Sequence, residues 1–221
     1  MKKDSSNKPL AFIGEALRFP PVEEANSEGL LAFGGDLSVE RLVLAYQQGI
    51  FPWFNEGSMI LWWSPDPRMV LHPAEVKISK SMAKVIKSNQ FTLTKDKCFD
   101  EVIDRCSKIA RKGQDGTWIT QDMKKAYLKL HELGYAHSYE VWENGILVGG
   151  LYGIDLGHVF CGESMFSAVS NASKFAFIKL AKELEKKKYK LIDCQVYTEH
   201  LASLGAKEMP RKEFIGILKD K

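Results

Sequence analysis

No stretch of this sequence stays apolar for long enough to cross a bilayer. The longest nearly uncharged run is 145–154, about half of the roughly 20 residues a spanning helix needs. The opening residues, MKKDSSNKPLAFIG, are positive, but only 10–13 are consecutively apolar, too few for the core of an export signal. Cys98, Cys106, Cys161 and Cys194 lie far apart and form no CxxC pair. Without an export signal they are expected to be reduced and buried rather than disulfide-bonded. The five histidines never fall at HxxxH or HExxH spacing, so no metal site is expected. Neither a GxxxxGK[ST] phosphate loop nor a GxGxxG dinucleotide fingerprint occurs. Charge of one sign is also scarce: 31 Lys and Arg face 28 Asp and Glu, a net +3. That balance alone does not argue for nucleic acid. The expectation left standing is a soluble cytoplasmic protein with no membrane partner.

Aromatic residues, by contrast, are well supplied. Five Trp, twelve Phe and seven Tyr in 221 residues provide core for one large domain or two small ones. No repeat of 20 to 50 residues is present. Six of the eight prolines (Pro9, Pro20, Pro21, Pro52, Pro65, Pro67) crowd into the first seventy residues, which predicts short elements joined by tight turns there. A helix is expected over 38–48, with Ser38 as N-cap and Gly49 past its end. A boundary near 71–75 divides the chain into a small N-terminal domain, 1–72, and a second domain, 73–221. Beyond it the periodicity predicts helices at 77–88, 99–110, 120–133 and 173–187, with a short one near Leu201. Strands are expected at 91–94, 137–142, 146–152, 158–162 and 190–196, with Glu143-Asn144-Gly145 as a hairpin turn. The class is α/β (α+β) with a mixed sheet.

Four features of the chain carry chemistry. Lys77, Lys80, Lys84 and Lys87 are spaced three, four and three apart, on one side of a helix, with no acid between Val76 and Thr94. They form either a solvated face or a surface for phosphates. The stretches GIFPWF (49–54) and LWWSPDPR (61–68) crowd three Trp and two Phe into loop-like sequence, more than a loop buries by itself, so some are expected to line a pocket or stack on a base. GESMFS (162–167) fails the nucleophile-elbow pattern at Phe166. It places Glu163 between apolar neighbours at a strand end, which would raise its pKa or leave it awaiting a cation, the alternative being an ordinary surface glutamate. LIDCQV (191–196) sets Asp193 and Gln195 on one face of a core strand, where an acid and an amide require partners.

Taken in order, FPP (19–21), GLLAFGGDLS (29–38), AYQQGIFPWF (45–54), ILWWSPDPRMVL (60–71), HELGYAHSYEVWENGILVGGLYGIDLG (131–157), FCGESMFS (160–167), NASK (171–174), LIDCQV (191–196) and SLGAKEMPR (203–211) span nearly the whole chain. Together they resemble the leucyl/phenylalanyl-tRNA–protein transferases of bacteria. The resemblance implies a GNAT-like (acetyltransferase-fold) second domain. It also implies transfer of Leu, Phe or Met from aminoacyl-tRNA to proteins beginning with Arg or Lys, marking them for N-end rule degradation. The Q/R-x-x-G-x-G/A loop of acetyl-CoA enzymes is missing, which fits a donor carried on tRNA; no cofactor is implied. By resemblance Asp193 and Gln195 stand at the reacting centre, Asp193 orienting the amine or taking its proton and Gln195 positioning it. Glu163 stands beside a donor side-chain pocket at Leu151, Met165 and Ser167; the family often carries Met where this chain has Leu151. Trp53, Trp118 and Tyr127 match positions around the terminal adenosine, and Lys80, Lys84 and Lys87 meet acceptor-stem phosphates. Either Glu163 or Asp193 would receive the acceptor's basic side chain.

Overall fold

A computed structural model describes residues 9–109 and 118–220. The strands β1 (Ala11–Ile13) and β2 (Leu30–Gly34) lead to helix α1 (Val39–Gln47), then to β3 (Phe51–Pro52) and β4 (Leu61–Trp63). These strands form a four-stranded sheet in the order β1-β2-β4-β3. Ser38 caps α1 as expected, its hydroxyl accepting from the Arg41 amide at 3.4 Å. Gly49 ends it with φ of +74°, a conformation a side chain resists. A Cβ there would also press within 2.5 Å of Ile215.

The second sheet begins with β5 (Arg68–Leu71), on the N-terminal side of the expected division at residue 72. Next come α2 (Lys80–Lys87), β6 (Thr92–Lys95), α3 (Phe99–Ser107) and α4 (Gln121–Glu132). The meander β7 (Ala136–Glu143), β8 (Ile146–Asp155), β9 (Val159–Ser167) precedes α5 (Ala172–Lys186), and β10 (Leu191–Gln195), α6 (Glu199–Ser203), β11 (Lys207–Met209) and α7 (Arg211–Lys219) close the chain. The strand order is β11-β5-β10-β9-β8-β7-β6, and among the described residues β9 and β10 are its one parallel pair. Asn144 and Gly145 both take positive φ in the hairpin between β7 and β8, the backbone a tight two-residue turn demands.

Three expectations need correction. The helix predicted from Lys77 starts at Lys80, because Ser79 caps it through the Met82 amide at 3.2 Å. Lys77 therefore stands outside the helix. The helix predicted to Ala110 ends at Ser107, and 110 itself lies outside the described residues. β9 runs five residues past Gly162, paired to β8 as far as Ser167. The C-terminal β11 and α7 have no counterpart in the periodicity reading. β11 is a three-residue edge strand of mostly exposed residues, and such a strand leaves almost no hydrophobic pattern.

The central strands are buried on both faces. Val159, Cys161 and Leu191 join one core with α3, α4 and the N-terminal sheet, while Phe160 and Ile192 join a second core under α5. Strands covered on two sides read as near-continuous apolar runs. Leu31, Leu42, Tyr46, Ile50 and Trp62 share their core with Val102, Met123, Tyr127 and Phe214. The N-terminal sheet is thereby packed onto the larger one through common hydrophobic burial.

Candidate active site

The parallel pairing of β9 and β10 is short, matching 159–161 with 191–193. Past it the strands separate. β9 stays with β8, whereas β10 shifts register between Asp193 and Gln195, and Gln195 takes φ of +64°. Gln195 no longer continues the alternation that would set it on one face with Asp193. The gap opens a cavity of about 430 Å³. Leu151, Met165, Phe177, Leu180 and Ile192 form an apolar wall, Glu163 and Gln195 a polar one, and Trp53 and Trp118 also line it.

Glu163 is one of two buried acids of this cavity, with Asp193. Its Oε2 accepts from the Tyr127 hydroxyl at 2.8 Å and its Oε1 from the Gln195 side-chain amide at 2.8 Å. Burial pushes its pKa up to about 7, the nearby charge of Asp193 adding to the rise, while the bonds from Tyr127 and Gln195, with the Tyr46 hydroxyl behind Tyr127, hold it back. Removal from water disfavours the carboxylate, and donors aimed at it favour it. The result is a group that changes charge near neutrality. Behind it the Tyr127 hydroxyl meets the hydroxyl of Tyr46, which α1 contributes from the N-terminal sheet.

Asp193 has a different role. Both of its oxygens are taken by Arg68, Oδ1 from Nε at 2.8 Å and Oδ2 from Nη2 at 2.7 Å, with each side chain 1% exposed. Oδ1 also accepts from the Gln195 backbone amide at 2.9 Å. Arg68 is held in turn by the Gly49 carbonyl at 3.1 Å and lies 4.8 Å from the ring centres of both Phe51 and Phe214. A buried bidentate pair of this kind fixes geometry, and here it fixes the turn that presents Gln195. Sequence reading missed both Arg68 and Tyr46. The available signals were an arginine opening an otherwise apolar strand (RMVL) and a tyrosine on the apolar face of α1.

The remaining expected site residues divide. Leu151, Met165, Trp53 and Trp118 line the cavity with Glu163, Asp193 and Gln195. Ser167 does not line it: its hydroxyl donates to the Val169 carbonyl at 2.8 Å and accepts from the Ser173 amide at 3.1 Å, bracing the start of α5. Tyr127 is wholly buried, its ring edge-on to Tyr152 at 5.6 Å, and it reaches the site through its hydroxyl rather than through an open face. Lys80, Lys84 and Lys87 are exposed on α2, and among the described residues none of the three forms an ion pair. None of the four cysteines is in a disulfide; Cys106, Cys161 and Cys194 are buried and Cys98 half-buried.

A family model described as leucyl/phenylalanyl-tRNA protein transferase matches residues 70–219, and the model of that family's N-terminal domain matches 35–66. A leucyl/phenylalanyl-tRNA–protein transferase of Flavobacterium johnsoniae is 62% identical over 212 residues, covering 96% of this chain and 100% of its own. One from Christiangramia forsetii is 58% identical over 95% of this chain and 100% of its own. Another, from Syntrophus aciditrophicus, is 54% identical over 96% of this chain and 88% of its own. Among solved structures, L-PGS from Bacillus licheniformis aligns with a TM-score of 0.41 at 14% identity, over 78% of this chain and 57% of that one. A GCN5-related N-acetyltransferase from Kribbella flavida aligns with a TM-score of 0.39 at 9% identity, over 76% of this chain and 60% of that one.

Proposed function

Since the chain belongs to the leucyl/phenylalanyl-tRNA protein transferase family and is an aminoacyltransferase, we propose that its cavity joins Leu, Phe or Met, delivered as the tRNA ester, to proteins beginning with Arg or Lys. The observation that carries this reading is a buried carboxyl, Glu163, held by Tyr127 and Gln195 beside an apolar wall, its pKa pushed up to about 7 by burial. The wall suits side chains unbranched at Cβ. Trp53, exposed at the cavity, offers a surface for the terminal adenosine, and the buried Trp118 lines the same cavity. The setting is cytoplasmic, and the product enters N-end rule degradation.

The ester is already activated, so the chain's task is to place a neutral amine. An α-ammonium has an ordinary pKa of ~7.7–8.0, so a fraction of the acceptor is already neutral near pH 7, and Glu163, with a pKa near the operating pH, is suited to take the proton released as that amine attacks. The amine lone pair attacks the ester carbonyl carbon as its proton passes to Glu163. The tetrahedral adduct then expels the ribose oxygen, which takes that proton back as the peptide bond forms. Gln195 orients Glu163 through its side-chain nitrogen, leaving its amide oxygen to accept from the attacking amine. Asp193, closed by Arg68, holds the turn under Gln195 rather than taking the proton.

The test uses tRNA charged with labelled leucine and two peptides, one starting with Arg and one with an acidic residue. Label on the Arg peptide alone supports the proposal. Label on neither, with charged tRNA still bound, would leave an RNA-binding module; label on both would remove the acceptor specificity.

The lysines of α2 fit acceptor-stem phosphates, and replacing Lys80, Lys84 and Lys87 with Ala checks this. The logarithm of tRNA affinity is expected to fall with the logarithm of salt by about 2 to 3 less in slope, as three phosphate contacts are lost. At saturating tRNA kcat should stay unchanged.

A further inference from the structure

We propose that Tyr46 is a positioning residue of the transfer reaction: its hydroxyl, acting through that of Tyr127, holds the Glu163 carboxyl in its working orientation and makes the N-terminal sheet part of the catalytic machinery. The inference rests on the reading of Glu163 as proton acceptor.

Tyr46 is 1% exposed among Leu42, Ala45 and Ile50. A phenylalanine would fill that space equally well, so packing does not account for the hydroxyl. A buried hydroxyl needs a partner, and this one meets Tyr127 from a distant part of the chain. The direction of the bond follows from proton count. Tyr127 has one hydroxyl proton, and it is given to Glu163 Oε2 at 2.8 Å. The proton between the two tyrosines therefore belongs to Tyr46. The chain runs Tyr46 to Tyr127 to Glu163, each donor polarising the next, and it ends on an atom of the cavity wall. It crosses from α1 through α4 to β9.

Among the described residues, no other group facing Glu163 replaces this chain. From β10 the Asp193 carboxylate, paired with Arg68 of β5, still raises the pKa of Glu163 by its charge and so opposes the tyrosines rather than replacing them. From β9 the Cys161 thiol is kept neutral, its pKa driven up by burial. Tyr152 of β8 meets Tyr127 by its ring. Burial likewise raises the pKa of both Tyr46 and Tyr127, so each remains a donor across the working range. Gln195 supplies a further bond, to the other carboxyl oxygen. Both tyrosines favour the ionised form of Glu163; removing the Tyr46 hydroxyl therefore moves its ionisation to higher pH.

The experiment measures transfer of leucine from leucyl-tRNA to an Arg-initiated peptide between pH 6 and 9 with the full chain. For Tyr46→Phe, kcat at pH 7 is expected to fall about tenfold, the loss of one hydrogen bond. The acid limb of the profile should move up by about one pH unit, with KM for leucyl-tRNA unchanged. Tyr127→Phe should move the limb in the same direction with the Tyr46 ring untouched. In a Glu163→Gln background, Tyr46→Phe should have no further effect on the profile. A Tyr46→Phe enzyme with wild-type kcat and limb, beside an impaired Glu163→Gln, would reduce Tyr46 to packing and overturn the inference. A Glu163→Gln enzyme with an intact limb would instead overturn the reading of Glu163 on which it rests.

Discussion

Replacing Asp193 with Ala is expected to destabilise the fold by about 3–5 kcal/mol, the usual consequence of stranding one member of a buried ion pair. Arg68 would be left in a site 1% exposed, with the Gly49 carbonyl and two aromatic rings as its neighbours. Arg68→Leu should do comparable damage by stranding the carboxylate. Two substitutions together, Arg68→Met with Asp193→Leu, should recover most of the stability, since apolar groups of similar volume often replace such pairs without loss. Transfer should not recover, because the Gln195 amide loses the acceptor that fixes its turn. Urea unfolding and charged-tRNA binding on the three variants check this. Had Asp193 only oriented the amine, Asp193→Ala would abolish transfer while leaving stability and tRNA affinity near wild type; that result would return it to the reacting centre.

Glu163→Gln is expected to separate activity from stability in the opposite sense. The amide cannot take a proton from the amine, so kcat should fall about 10²- to 10⁴-fold, the range for a lost general base. It can keep both bonds, accepting from Gln195 and donating to the Tyr127 oxygen, so the fold should persist. The pH dependence has a definite sign. The folded pKa of about 7 lies above the ordinary 4.5, so the stabilisation from a neutral Glu163 is complete below pH 4.5. It is lost as pH rises through 7, when the buried group ionises as well. The full change corresponds to about 3 kcal/mol. The Gln variant should lack this decline and be the more stable protein at pH 8, as read from urea midpoints between pH 4 and 8. Wild-type transfer rates for Glu163→Gln across pH 6 to 9 would remove Glu163 from the chemistry.

The sequence alone determined the parts that depend on local pattern. Ser38 and Thr120 cap helices because a short side-chain oxygen satisfies an amide two or three residues on. Asn144-Gly145 turns the β7–β8 hairpin because both residues tolerate positive φ. The apolar run at 145–154 and the strand pattern at 190–196 marked β8 and β10, which the fold buries on both faces. Resemblance across the chain pointed to Leu151, Met165, Glu163, Asp193, Gln195, Trp53 and Trp118, which line the cavity, but also to Ser167, which does not. What only the tertiary structure decided is which of these share a partner. Alternation set Asp193 and Gln195 on one face, but the register shift and the left-handed turn at Gln195 gave the acid to Arg68 and the amide to Glu163. Nothing near Asp193 in sequence signals Arg68, 125 positions away, or near Tyr127 signals Tyr46, 81 away. Burial sets the charge of Glu163, and burial belongs to the assembled cores rather than to any one segment. Local propensity is written along the chain, whereas solvent exclusion and the pairing of buried polar groups exist only once distant elements meet.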